Sequence, residues 1–367
     1  MTMCELENKM QQLFITLIKE KNPKKRLLCL EEVILLNKLY CAVSGHTLET
    51  EMEKYSHLED FMRLDRKEYA FFRSFTSNYE REIDYHELLS TNAILTLCDY
   101  FTLGHMEEYE HVIEKDTMKE IILSFFKKYL KEYYPIVKNF YKEDAFYFLP
   151  YSKWSTKVAG SNLYLPYSKK SIIVCNDKMD LQTMVTIVHE LGHMLCYHEL
   201  KDNHSMNKSY FYEVFSCTFE RLFINYLMNE KFLVKECIHY LKEEDNTFFE
   251  SADHLCFLTK FSSLMLDIDY NVQNYEDFFI HHPNEDIDKE MYKELNLKDE
   301  LSSFYGYLLS LEYEQQFLKN PEETLQYMKH LNQKNGIYPM KKLFATSNLS
   351  LEEISKMKTL KNRLCTK

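Results

Sequence analysis

The chain has 367 residues, with 45 Lys and Arg against 57 Asp and Glu, a net charge of −12, and only 6 Gly and 7 Pro. That length can bury a large core, the acidic balance argues against a nucleic-acid binder, which needs a basic face, and scarce Gly and Pro argue against disorder and many-turned β architectures. No apolar run approaches the roughly 18 residues that a membrane span needs, and the acidic start Met1-Thr2-Met3-Cys4-Glu5 is unlike a basic export signal. The 10 cysteines are scattered, without a C-x-x-C pair, and read as reduced core thiols of a cytoplasmic protein.

Helical periodicity dominates from the start. Leu6, Met10, Leu13 and Leu17 keep a 3.6-residue period until Asn22-Pro23 stops it, and a second helix runs from Leu27 to Val43. Two further helices are expected at about 50–75 and 86–101. After the Gly104-His105 break, Met118 to Tyr133 forms a strongly periodic helix that meets Pro135. Between 156 and 176 the pattern changes. Residues 156–165 can run as a strand, Pro166 to Lys170 turns, and Ser171 to Cys175 is a β-branched run, which together predict one hairpin. Asp180 is a good N-cap, after which helix resumes.

The helix that Asp180 starts carries the chemistry. Leu181, Met184, Val185, Val188, Leu191 and Leu195 form an apolar stripe, so the helix packs into a core. His189 and His193, four residues apart, share one face, a spacing that suits two ligands of one tetrahedral zinc. Glu190 lies beside them, placed to reach a water rather than the metal. A third protein ligand is needed. An H-E-x-x-H-x-x-G-x-x-H arrangement fails, because Cys196 and Glu199 occupy the Gly and last His positions. A following helix, 209–224, places Glu213, Ser216 and Glu220 on one polar stripe of an otherwise apolar segment. Buried carboxylates must be paired or metal-bound, so Glu213 reads as the third ligand and Glu220 as the partner that orients a ligand imidazole. An ion pair of Glu220 with Arg221 or a lysine is the other reading.

His189-Glu190-Leu191-Gly192-His193, followed some twenty residues later by Glu213-Val214-Phe215-Ser216-Cys217-Thr218-Phe219-Glu220, resembles the thimet oligopeptidase/oligoendopeptidase F family of zinc peptidases, with its H-E-x-G-H and E-x-x-S-x-x-x-E motifs. Gly160-Ser161-Asn162-Leu163-Tyr164 is similar to the family's glycine-containing substrate-side strand, and Phe304-Tyr305-Gly306-Tyr307 to its Tyr-Tyr-Gly-Tyr segment. The resemblance implies a mainly α fold of two helical lobes around a channel, with one small β hairpin or sheet beside a zinc-binding active-site helix. It implies one zinc per chain and hydrolysis of oligopeptides. Residues 1–104 are then the N-terminal helical lobe, 105–345 the zinc metallopeptidase catalytic domain and 346–367 a helical tail, which makes this a short member.

In that scheme Glu190 takes a proton from the attacking water and returns it to the leaving amine. Tyr307 is the first choice for the hydroxyl that stabilises the oxyanion, and Tyr305 the second. Gly306 between them would let backbone approach substrate. A peptide adding to an exposed edge of the hairpin would lie along Gly160, Ser161 and Tyr164. His281-His282-Pro283 reads as a surface loop and His254 as a core or edge histidine. One departure bears on rate: the family's His and Gly-rich stretch before the tyrosines is replaced by Leu295 to Ser302, which has neither. A family member that binds peptides or a partner protein with little turnover is the alternative, and a helical scaffold with a fortuitous motif is a third.

Overall fold

The computed structural model describes residues 3–44, 111–143, 145–149, 160–165, 170–199, 211–244, 248, 251–252, 254–255 and 297–333. The helices expected at 50–75 and 86–101, the 281–283 loop and the 346–367 tail lie outside these residues. The described residues are mainly helical, with one three-stranded sheet. By contact the chain divides into two compact units, the first comprising Met1–Tyr79 and His111–Asn207, the second Glu80–Glu110 and Lys208–Lys367. The two units therefore interleave along the chain.

In the first unit, α1 (Met3–Lys19) and α2 (Pro23–Ser44) pair as a helical hairpin. The buried side of α1 carries Leu6, Met10, Phe14 and Leu17. Phe14 takes the place expected for Leu13, which is only half-buried. Pro23 opens α2 instead of preceding it, because its missing N–H costs nothing in a first helical turn. The same rule corrects the next element. The helix expected to run from Met118 to Tyr133 is present as α3 (Lys115–Tyr129), ending four residues early, and a separate helix α4 (Tyr134–Phe140) follows, with Pro135 in its first turn. Leu130, at φ −124° and ψ 55°, breaks the helical path between them.

The hairpin is present as β2 (Gly160–Leu165) and β3 (Lys170–Asn176), antiparallel, with Gly160 opposite Cys175 and Leu165 opposite Lys170. A further strand, β1 (Phe146–Leu149), pairs parallel with β3, giving the order β1-β3-β2. Sequence reading missed β1, whose four residues are too short for a period-2 signal. The β-branched run is thus the central strand, buried from Ser171 to Asn176, and β2 is an edge. Helix α5 (Leu181–Glu199) packs on β2 and β3. Asp180 caps it as expected: its Oδ1 accepts from the Thr183 N–H at 2.9 Å and the Thr183 hydroxyl at 3.1 Å. That hydroxyl also lies 3.1 Å from Asn176 Oδ1, so the end of the central strand and the start of α5 share one polar joint.

The second unit contains α6 (Phe211–Asn229), α7 (234–244), α8 (Leu297–Lys319) and α9 (Pro321–Gln333). Helix α6 packs chiefly against α8. Its buried side, with Val214, Phe215, Phe219, Leu222, Phe223 and Leu227, is apolar and close to completely enclosed. Among the described residues no helix is long and apolar enough to cross a membrane.

Candidate metal centre

Helix α5 brings its three chemical residues together as the spacing predicts. The imidazoles of His189 and His193 lie edge to face, with ring centroids 4.6 Å apart. His189 is half-buried, while His193 and Glu190 are 9% and 6% exposed, so the residues sit on the margin of the buried face rather than in open solvent. Glu190 is turned towards the sheet. A Cβ built on Gly160 would come within 3.3 Å of both Glu190 Cγ and Oε1, and within 2.4 Å of Thr186 Cγ2. Only glycine at this edge-strand position lets β2 lie so close to the helix. Cys175, the cross-strand partner of Gly160, is near enough that the Glu190 charge adds to burial in pushing its thiol up. Glu190 is therefore a carboxylate walled by the hairpin, with a glycine on one strand and a neutral thiol on the next. Ser161 and Tyr164 lie in β2 at positions opposite Val174 and Ser171.

In the second unit, α6 shows a half-buried stripe of Glu213, Cys217 and Glu220 at the i, i+4, i+7 spacing of one helix face, flanked by buried residues. Ser216 is wholly buried, and its hydroxyl has three acceptors in reach: Tyr212 O at 3.2 Å, Glu213 O at 3.1 Å and Glu213 Oε2 at 3.2 Å. Cys217 Sγ comes within 4.8 Å of a Glu213 carboxylate oxygen. Burial, and then the carboxylates of Glu213 and Glu220, push this thiol well up. Glu220 accepts a hydrogen bond from the Tyr240 hydroxyl on α7.

Arg221 has other partners. It donates from Nη1 to Glu244 on α7, and from Nε and Nη2 to Glu314 Oε2 on α8, both at 2.9 Å. Burial opposes the guanidinium charge, but Glu244 and Glu314 outweigh it and hold the group protonated. The ion pairs seen for Arg221 are those with Glu244 and Glu314. This three-helix network was missed in the sequence. Arg221, set beside Glu220 in an otherwise apolar stretch from Phe219 to Ile224, was the available signal, since a buried charge must find partners.

The tyrosine segment lies within α8. Tyr305 has no exposed surface and Tyr307 is 6% exposed. Tyr307 packs its ring 5.2 Å from that of Phe248 and lies near Arg221. Gly306 differs from expectation. A Cβ there would lie 2.6 Å from Glu213 Cβ, 3.0 Å from its carbonyl carbon and 3.2 Å from its carbonyl oxygen. The close approach that Gly306 permits is that of α8 to α6, in place of a substrate backbone.

The paired imidazoles of α5 and the hydrogen-bonded carboxylate of α6 are side chains of kinds that can bind a divalent metal. No protein-family model matches the chain, and no curated protein matches it. Solved structures do. A protein provisionally named oligoendopeptidase F from Bacillus anthracis superposes with a TM-score of 0.50 at 12% identity, over 99% of this chain and 73% of its own length. Another structure provisionally named oligoendopeptidase F gives 0.51 at 11% identity, over 94% of this chain and 65% of the other. The mainly helical fold of this chain is therefore that of the oligoendopeptidase F structures, with the chain spanning about two thirds to three quarters of their length.

Proposed function

We propose that the protein is a zinc-dependent endopeptidase acting on oligopeptides. The observation that carries this reading is the pair of His189 and His193 rings, 4.6 Å between centroids, with Glu190 held beside them against the hairpin. His189, His193 and Glu213 would hold one zinc per chain, and the metal, when bound, supplies a Lewis acid that polarises the scissile carbonyl and acidifies water. Glu190 takes the proton from the attacking water and delivers it to the leaving amine. Its enclosure by Gly160 and Cys175 keeps the carboxylate in one place for both transfers.

Tyr307 is the first candidate for a hydroxyl donor to the oxyanion and Tyr305 the second, an order consistent with the complete burial of Tyr305. Glu220, bonded to Tyr240, serves as the orienting carboxylate. Extended substrate adds along the β2 edge past Gly160, Ser161 and Tyr164, where main-chain bonds give affinity with little sequence preference. Cys29, Cys175, Cys217 and Cys237 are free thiols, which fits a cytoplasmic setting.

A second reading, peptide binding with slow turnover, draws on one observation. From Leu297 onward, the stretch that lacks the family's His and Gly is the first turn of α8, so it is helix where the family has a Gly-rich loop. The test is metal analysis combined with a quenched peptide library. About one zinc per chain, lost in His193→Ala, and cleavage lost at least ~100-fold in metal-loaded Glu190→Gln support the endopeptidase. Full zinc retention in His193→Ala overturns the metal site. Unchanged cleavage by Glu190→Gln overturns the mechanism.

A further inference from the structure

We propose that Gly306 and Ser216 are positioning residues for Glu213 that hold its carboxylate preformed as a ligand for a divalent cation. The inference rests on the zinc reading above. Glu213 stands in the first turn of α6, where helices fray, and it has three side-chain torsions to lose on binding a metal. Two contacts restrain it.

The first contact acts on the root of the side chain. With Gly306 in α8 against it, α8 packs on the backbone and Cβ of Glu213 so closely that a methyl group has no room: a Cβ built on Gly306 would lie 2.6 Å from Glu213 Cβ and 3.0 Å from its carbonyl carbon. Glycine is among the poorest residues inside a helix, so its place within the 23 residues of α8 calls for a packing cause, and the contact with Glu213 supplies one.

The second contact acts on the tip. Ser216 lies one turn further along α6 and is wholly buried, with its hydroxyl 3.2 Å from Glu213 Oε2. Of its three acceptors the carboxylate is the charged one, and charge-assisted bonds are the stronger. Root and tip fixed together define where the carboxylate points, which is what a metal ligand requires of its supporting residues.

The experiment compares wild type, Gly306→Ala, Ser216→Ala and Phe219→Leu. It measures zinc affinity by competition with a chromophoric chelator, the visible spectrum of the Co²⁺-loaded protein, and thermal stability. Removing partners that orient a ligand typically weakens metal binding roughly 10–100-fold. Gly306→Ala and Ser216→Ala are expected to fall in that range with altered Co²⁺ spectra. Phe219→Leu disturbs the buried side of α6 without touching Glu213, and should lose stability while keeping wild-type zinc affinity. Ser216→Ala only removes an atom, so it decides the matter should Gly306→Ala not fold. Wild-type zinc affinity and Co²⁺ spectrum in folded Ser216→Ala overturn the proposal, as does an equal loss in Phe219→Leu. Absence of stoichiometric zinc from the wild type overturns the zinc reading itself and this inference with it. A zinc-loaded wild type with unresponsive variants sinks only the positioning role.

Discussion

Replacing Arg221 by Met tests a buried electrostatic joint of the second unit. The guanidinium is 8% exposed and joins Glu244, itself 7% exposed, to Glu314, 17% exposed, so three helices meet on one side chain. Met fills most of the stem volume and supplies no charge. The loss therefore comes from leaving carboxylates buried without their cation. Breaking a buried pair from one side costs about 3–5 kcal/mol. Glu244 is expected to account for most of this, because Glu314 is exposed enough for water to answer part of its charge. The measurement is urea unfolding followed by circular dichroism, for Arg221→Met, Glu244→Gln and the double variant. The double variant should recover part of the loss, because the amide removes the stranded charge. Arg221→Lys should fall between wild type and Met, since one ammonium cannot reproduce a fork that reaches two carboxylates. A loss below about 1 kcal/mol for Arg221→Met, the size of an ordinary surface change, would refute the reasoning.

Gly160→Ala should strike Thr186 and Glu190, lowering stability by about 1–3 kcal/mol and reducing peptide cleavage, read by thermal melts beside the library assay. Asp180→Ala should cost about 1 kcal/mol through loss of the α5 cap, and a change within error in urea unfolding would discount the cap. Iodoacetamide at neutral pH should label exposed Cys4 and spare buried Cys175 and Cys237, since only the thiolate reacts; peptide mass mapping reads this out. Burial pushes the Cys237 thiol from 9.0 to about 12, so the folded state keeps a proton that the unfolded chain releases. That contribution to stability is complete below pH 9 and fades as pH rises towards 12, so Cys237→Ala should flatten the alkaline fall of the melting temperature.

Helix α5 was legible in the sequence because all its information is local. Asp180 starts it, the apolar stripe from Leu181 to Leu195 sets its buried face, and the four-residue spacing puts His189 and His193 together whatever surrounds them. The half-buried stripe of Glu213 and Glu220 followed from the same helical period. What the sequence could not carry depends on pairing between distant segments. The four residues of β1 have no pattern of their own and become a strand only because the edge of β3 is there to receive them. Pro135 can stop a helix or open one, and here the earlier helix has already ended at Leu130, so it opens the next. Arg221 could be flagged as a buried charge, but Glu244 and Glu314, 23 and 93 residues away, are found only once α7 and α8 have packed against α6. Gly306 is the sharpest case. Its sequence context of tyrosines suggests a substrate, while its place in α8 sets it against Glu213, because the absence of a side chain allows a close approach without specifying what approaches.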